Sequence, residues 1–421
     1  MMDRSLTIPD RPACIRYCMI GFFSYFGDAR VRGYAELLRK GGNLVDVLGV
    51  HGSKADKTVD KSGVRLFSIP VSRGRKGRIQ YLLQYSYSFF WLSFLLTKLY
   101  FENRYDVIHV HNMPDFLVFC GLIPKLFGAK IILDIHDPMP EVYLSKYPGK
   151  KNSLAMLLLH LEERISAAFV DAVIAANPHF QENLIARGIA ASKITTVNNY
   201  PDPEIFHPSK RPSGAGKNHE RFTLIFPGTI APRYGLEVAI RALQLLIKEI
   251  PEIRLLIIGR QDEYARSLIS LVSDLGLSPY VDFLPGLPNT EIPDLLIRAD
   301  VGIYPALPDC HMSIAVPGKV LEFAIMGIPI VSSRLKIVEE MFDDSAVLFF
   351  EPGNSDDFAQ CILKLYRDPA LSEWLVARAD QFLIQRQSRD REISAYFELL
   401  NRLLPVRRKS LSSGTAGSWK L

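Results

Sequence analysis

Cysteine is scarce in this chain. There are five among 421 residues, an odd number, and no Cys-x-x-Cys pair occurs, since three residues separate Cys14 from Cys18. That pattern argues against a disulfide framework and a structural zinc site, and it favours a reducing compartment. No Gly-x-Gly-x-x-Gly follows any candidate strand and no P-loop pattern is present, so nicotinamide chemistry and P-loop ATP hydrolysis lack their phosphate cradles. No strand ends in Asp-x-Asp; Asp343-Asp344 and Asp356-Asp357 read as turn or helix-start residues, and no metal is expected. The chain lacks an aromatic and basic sheet motif and a zinc knuckle, which removes nucleic acid as an expected partner. The stretch from Met1 to Pro12 is polar and broken by two prolines, without the apolar core of a secretory signal, so the expected location is the cytoplasm.

What is present is a long alternation. With 421 residues, 48% of them hydrophobic, the chain can build two domains with separate cores. Short β-branched runs are expected as strands at 15–20, 44–50, 64–69, 107–111, 130–135, 172–175 and 194–197, and again at 222–227, 254–258, 281–284, 301–304, 328–332 and 346–350. Helix-length segments, among them 29–40, 116–127 and 154–169, separate many of them. Such alternation predicts two doubly wound parallel sheets with right-handed crossovers. The stretch 207–218 has one alanine as its only apolar residue and reads as a linker. The expected divisions are a first domain over 1–205, a second over 206–389, a closing helix over 390–404 that crosses back onto the first domain, and a disordered tail over 405–421.

The richest motif runs from Pro317 to Val331. It reads as a helix that opens on Gly318 and Lys319, carries Glu322 one turn later on the same face, and stops at Gly327-Ile328-Pro329. A helix start offers unpaired N–H groups and partial positive charge to a diphosphate, Lys319 adds a full charge, and Glu322 can accept from both hydroxyls of a ribose. The plainer alternative is a surface ion pair before a helix stop. Two adjacent strand ends, His109-Val110-His111 and Asp134-Ile135-His136-Asp137, finish in histidine and aspartate where open α/β sheets bind ligands. The loop Gly228 to Gly235 holds Arg233, a permanent cation suited to phosphate.

Together these segments resemble glycosyltransferase family 4, the retaining, nucleotide-sugar-dependent enzymes of the GT-B fold. The resemblance covers roughly Ile15 to Leu404 and rests on Gly27-Asp28-Ala29-Arg30, the two histidine strand ends, Asn198-Asn199-Tyr200-Pro201, the Gly228 loop, Ile257-Ile258-Gly259, Ala299-Asp300 and Lys319 to Val331. It implies two Rossmann-like domains facing each other across a cleft, with His136 and Glu322 as catalytic residues. Donor contacts are implied at Gly228, Arg233, Arg260, Gly318, Lys319, Val320, Leu321 and Glu322, and the acceptor side at Gly27, Asp28, His111 and Asp137. It implies no cofactor beyond the nucleotide-diphosphate sugar as co-substrate, and base recognition by backbone near Pro285 to Leu287. Two departures stand out. Ile314 occupies the position, eight residues before Glu322, where many members carry a second glutamate, with Asp309 or His311 as candidate substitutes. Tyr234 stands where a lysine is common.

The expected activity is transfer of a sugar from a UDP- or GDP-linked donor to a glycan or lipid-linked acceptor, in bacterial surface polysaccharide synthesis. A nucleotide-sugar epimerase of related fold, a pyridoxal-phosphate phosphorylase and a non-catalytic two-domain binding protein are the alternatives. Arg73, Arg75, Lys76 and Arg78 precede an uncharged, aromatic-rich run from Ile79 to Thr97, which reads either as a helix resting on an anionic membrane or as an ordinary helix covering a sheet.

Overall fold

The computed structural model describes residues 14–50, 57–71, 78–211, 221–386 and 389–404. The first sheet contains β1 (Arg16–Gly21), β2 (Leu44–Gly49), β3 (Lys57–Val59), β4 (Arg65–Ser68), β5 (Val107–His111), β6 (Lys130–Ile135), β7 (Ala172–Ala175) and β8 (Ile194–Thr196), in the order β3-β4-β2-β1-β5-β6-β7-β8. All neighbours are parallel except β3, which pairs antiparallel with β4. The second sheet contains β9 (Phe222–Pro227), β10 (Ile253–Ile258), β11 (Val281–Leu284), β12 (Val301–Tyr304), β13 (Ile330–Ser333) and β14 (Leu348–Phe350), all parallel, in the order β11-β10-β9-β12-β13-β14.

Strand order reverses between β1 and β5 in the first sheet and between β9 and β12 in the second. At such reversals successive crossover helices depart to opposite faces, which leaves a crevice beyond the carboxyl ends of the two strands. The loops after β1, β5, β9 and β12 therefore frame the places where ligands can enter.

Alternation along the strands fills a separate core on each face of the first sheet. Cys18, Ile20, Ile108, Val110, Ile131 and Leu133 pack on one side under the helix Arg78–Asn103. Tyr17, Met19, Val107 and Ile132 pack on the other, under the helix Ala29–Lys40. His109 and His111 share the parity of Val107 and so point into this second side. The last described helix, Arg389–Leu403, follows the second domain yet buries Tyr396, Leu399 and Leu400 in the same core. Glu392 anchors it by accepting from the backbone and side-chain nitrogens of Asn198, at 2.5 and 2.8 Å.

Three expectations change. The segment 116–127 is not one helix: it divides into a 3-10 stretch, Asp115–Gly121, and a five-residue helix, Leu122–Leu126. Strand β3 is short, exposed throughout and polar at its start, which hid it. The linker includes a 3-10 turn, Pro208–Lys210, followed by Arg211, which donates to the Ala324 and Ile325 carbonyls at the end of the Gly318–Met326 helix (2.9 Å each) and pairs with Asp380. Residues 212–218 of that linker, the basic residues Arg73, Arg75 and Lys76, and the tail 405–421 lie outside the described residues.

Candidate active site

Beyond β9 and β12 lies a cavity of about 460 Å³, bordered by Gly228, Thr229, Ile230, Gly259, Arg260, Asp262, Gly286, Leu287, Asn289, Lys319 and Glu322. Gly228 has a φ of +133°, a conformation that favours glycine, and a Cβ there would lie 2.3 Å from Lys319 Cε, so a side chain at this position would push the lysine stem aside. The ammonium of Lys319 sits 4.6 Å above the Tyr234 ring and 5.3 Å from that of Phe226. Tyr234, at the position where a lysine was expected, thus grips the neighbouring cation by its ring face. Among the described residues Lys319 has no ion pair, leaving its charge available at the cavity.

The Gly318–Met326 helix starts after Pro317 with no side-chain cap. The Val320 N–H donates to Pro317 O at 3.1 Å, and that of Leu321 to the same oxygen at 3.5 Å. The free donors are therefore those of Gly318 and Lys319. Val320 and Leu321 are fully buried in the second-domain core, so their side chains hold the helix by packing. Glu322 borders the cavity. Burial pushes its carboxyl up to about 7, opposed by Lys319.

Arg233 was implied as a donor contact by its loop. It does not border the cavity; its guanidinium lies 5.3 Å from the Tyr234 ring centroid with Nε buried and unpartnered, within electrostatic reach of Tyr304 and His311. Arg260 instead borders the nucleotide-sized cavity and also a second one of about 350 Å³ on the first domain. The two cavities meet at this side chain.

The second cavity is bordered by Gly27, Asp28, Tyr85, Asn112, His136, Asp137 and Lys146. Asp28 also caps the Ala29–Lys40 helix, accepting from the Arg30 and Val31 N–H groups at 3.1 Å each. Asn112, which sequence reasoning passed over, holds the turn after β6. Its Oδ1 accepts from the N–H groups of His136 (3.2 Å) and Asp137 (3.3 Å), and its Nδ2 donates to Asp137 O (2.8 Å). With the backbone fixed in this way, His136 keeps a buried, unpartnered Nδ1.

His111, expected on the acceptor side, is absent from that cavity. It is fully buried, stacks on His109 at 4.2 Å, and places Nδ1 3.1 Å from Asp134 Oδ2. Arg30 donates to both oxygens of Asp134 at 2.8 Å. Burial would raise Asp134, but Arg30 and His111 hold it well below the usual carboxylate range. The His109, His111 and Asp134 ligand atoms lie within 4.8 Å of one another. Arg30 fills the place beside Asp134 that a cation would take, so the cluster reads as a core ion pair under the site. The parity of His109 and His111 on β5 was the available signal.

Ile314 is also accounted for. With Ala315 it packs on the first domain's core, and its carbonyl accepts from Asn177 Nδ2 at 3.0 Å. Asp309 spends its carboxylate on the N–H groups of His311 (2.8 Å) and Met312 (2.6 Å) and on Ser145 Oγ (2.5 Å), so it is not free to contact a sugar.

Comparison with known proteins places this geometry. Residues 27–200 match a family described as "Glycosyl transferase 4-like domain", and residues 221–368 match "Glycosyl transferases group 1". The chain belongs to glycosyltransferase family 4. Among similar proteins, a D-inositol 3-phosphate glycosyltransferase of Thermobispora bispora is 26% identical over 56% of this chain and 56% of its own length. One component of the phosphatidylinositol N-acetylglucosaminyltransferase of Arabidopsis thaliana is 21% identical over 84% of this chain and 74% of its own length. The chain thus spans little more than half the length of the first of these. Among solved structures, a sucrose-phosphate synthase from Thermosynechococcus elongatus has a TM-score of 0.73 at 15% identity, covering 93% of this chain and 99% of that one. HepE of Anabaena in complex with UDP-glucose has a TM-score of 0.65 at 16% identity, covering 92% and 99%. The fold of this family 4 member is GT-B, two Rossmann-like domains facing one cleft.

Proposed function

We propose that this family 4 protein transfers a sugar, with retention of configuration and without a metal, from a UDP- or GDP-linked donor to a glycan or lipid-linked acceptor in bacterial surface polysaccharide synthesis. The observation that carries this reading is the cavity beyond β9 and β12, where Lys319, without an ion pair among the described residues, and a half-buried Glu322 face a space that meets the His136 cavity at Arg260. Glu322 accepts from the ribose, backbone at Gly286 and Leu287 meets the base, and Gly318 and Lys319 meet the diphosphate.

Departure of the nucleoside diphosphate leaves negative charge on phosphate and positive charge on the sugar ring. Lys319, Arg260 and the two free N–H groups stabilise the first. His136, aimed into the first-domain cavity, borders the sugar. The attacking hydroxyl approaches on the face the phosphate leaves, and its proton passes to that phosphate. A thermal-shift panel with UDP, GDP, ADP, CMP and NAD tests the reading, because a ligand that binds only the folded state raises the melting temperature by mass action. A shift with UDP or GDP alone is expected; a flat panel, or a shift with NAD alone, contradicts it.

A membrane-borne acceptor accords with the outer face of the first domain. No helix among the described residues is long and apolar enough to cross a membrane. However, Tyr87, Phe90, Phe94 and Phe101 are exposed along the Arg78–Asn103 helix, and Leu154, Leu157, Leu158, Leu161 and Ile165 along the Leu154–Phe169 helix. Both helices pack on the Asp115–Gly121 segment, and exposed Leu122, Leu126 and Phe127 follow it. Exposed Lys98, Lys150, Lys151 and Arg164 supply positive charge from these helices and the turn before the second. An apolar surface with basic residues suits an anionic bilayer, and names of relatives that act on phosphatidylinositol fit such a setting. Replacing Leu157 and Leu161 with aspartate, or Arg73, Arg75, Lys76 and Arg78 with serine, is expected to reduce cosedimentation with anionic vesicles severalfold. Undiminished sedimentation of both variants contradicts the membrane assignment.

A further inference from the structure

We propose that His311 is a positioning residue that reaches from the second domain to hold Asp137, so that the His136–Asp137 turn is held for reaction only while the two domains stay closed. The kinetic part of this inference rests on the transferase reading above.

The loop after β12 enters the first domain. Ser145 Oγ donates to Asp309, Cys310 Sγ lies 3.5 Å from Glu141 O, and Ile314 reaches the first-domain core. Within that span His311 is 5% exposed, with its ring stacked 6.2 Å from Phe180 and Nδ1 buried without a partner. Its Nε2 stands 3.7 Å from Asp137 Oδ1. Asn112 fixes the Asp137 backbone, but among the described residues no other side chain forms an ion pair or hydrogen bond with its carboxylate. A separation of 3.7 Å exceeds a direct hydrogen bond, and polar contacts at reaction centres tighten when ligand closes the site.

The charges around the ring are Asp137, Asp309 and Glu141 on the anionic side and Arg233 on the cationic side. Burial lowers the imidazole pKa, with Arg233 acting in the same direction and the carboxylates against it. At neutral pH a neutral imidazole with the proton on Nε2 turns that N–H toward Asp137, poised to donate once the gap closes. The same loop continues through Pro317 into the helix bearing Lys319 and Glu322, so the nucleotide clamp and the hold on Asp137 belong to one stretch of chain.

Histidine-labelled NMR tests the contact without relying on activity. Asp137→Asn is expected to lower the titration midpoint of His311 and leave those of the other histidines distant from it unchanged; an unmoved midpoint overturns the proposal. Kinetics test the consequence. His311→Ala and Asp137→Asn should each lower kcat by on the order of tenfold to a hundredfold, as a small misplacement at a reaction centre does. The double variant should be no worse than the weaker single variant, and affinity for UDP or GDP should change by less than about twofold. His311→Gln, which keeps a donor, should recover most of the rate and preserve the melting temperature. Additive losses, unchanged kcat in His311→Ala, or parallel loss of nucleotide affinity overturn the proposal. Wild-type turnover, measured alongside, reports separately on the transferase reading.

Discussion

Glu322→Ala is expected to weaken binding of the nucleoside diphosphate by on the order of a hundredfold and to take sugar transfer below detection. The magnitude follows from the two ribose hydroxyls, since a hydrogen bond to a charged acceptor contributes roughly 1.5–3 kcal/mol and each 1.4 kcal/mol is a factor of ten. The fold should survive. The carboxyl has been raised from its ordinary range to about 7 by burial, so the folded protein holds a proton that the unfolded chain releases. Its contribution to stability is therefore complete below the unfolded pKa and is lost as pH rises toward 7. Above pH 7, Glu322→Gln should melt at the same temperature as wild type or higher while still binding nucleotide poorly. Calorimetric titration and thermal melting separate the two effects; a variant that unfolds, or one that keeps full affinity, would count against the assignment.

His136→Ala should show the complementary pattern. Nucleotide affinity is expected to stay within about twofold of wild type, because His136 borders the first-domain cavity rather than the nucleotide cavity. The rate should fall by roughly a hundredfold to a thousandfold, the usual cost of removing one preorganised polar group from a reaction centre. The side chain is prepared for that task. Asn112 fixes the turn on both sides, and the buried Nδ1 has no partner among the described residues. A titration at saturating donor reads kcat directly. Loss of nucleotide binding in this variant, or an unaltered rate, would remove His136 from the reaction centre.

Much of the fold was legible because parallel strands buried on both faces read as largely apolar runs, and β5, β6, β7, β9 and β12 start and stop where composition alone places them. Strand β3 was hidden because three exposed edge residues carry no burial signal. The helix expected over 116–127 divides near Gly121 and Pro124, residues that favour a break. At the site, Lys319 and Glu322 were legible from their spacing on one helix face. Val320 and Leu321, in a nine-residue helix against a sheet, lie between the two polar residues and turn their apolar side chains to the core. His111 is turned inward as well, since the parity that pairs it with His109 directs both away from the first-domain cavity. Arg233 and Asn112 could not be placed from sequence. Their positions depend on which side of Tyr234 the guanidinium falls and on a contact between two loops far apart in the chain.

The most direct test of the nucleotide clamp is calorimetric titration of UDP and GDP into wild-type protein and Glu322→Gln at pH 6 and pH 8. Ionised Glu322 is the form that accepts from ribose, so wild-type affinity should rise by about tenfold between these pH values. The phosphates' own titration is common to both proteins and cancels in the comparison. The account predicts that the rise attributable to Glu322 disappears in Glu322→Gln. Equal affinity and equal pH dependence in the two proteins, or no binding of either nucleotide to wild type, would contradict it.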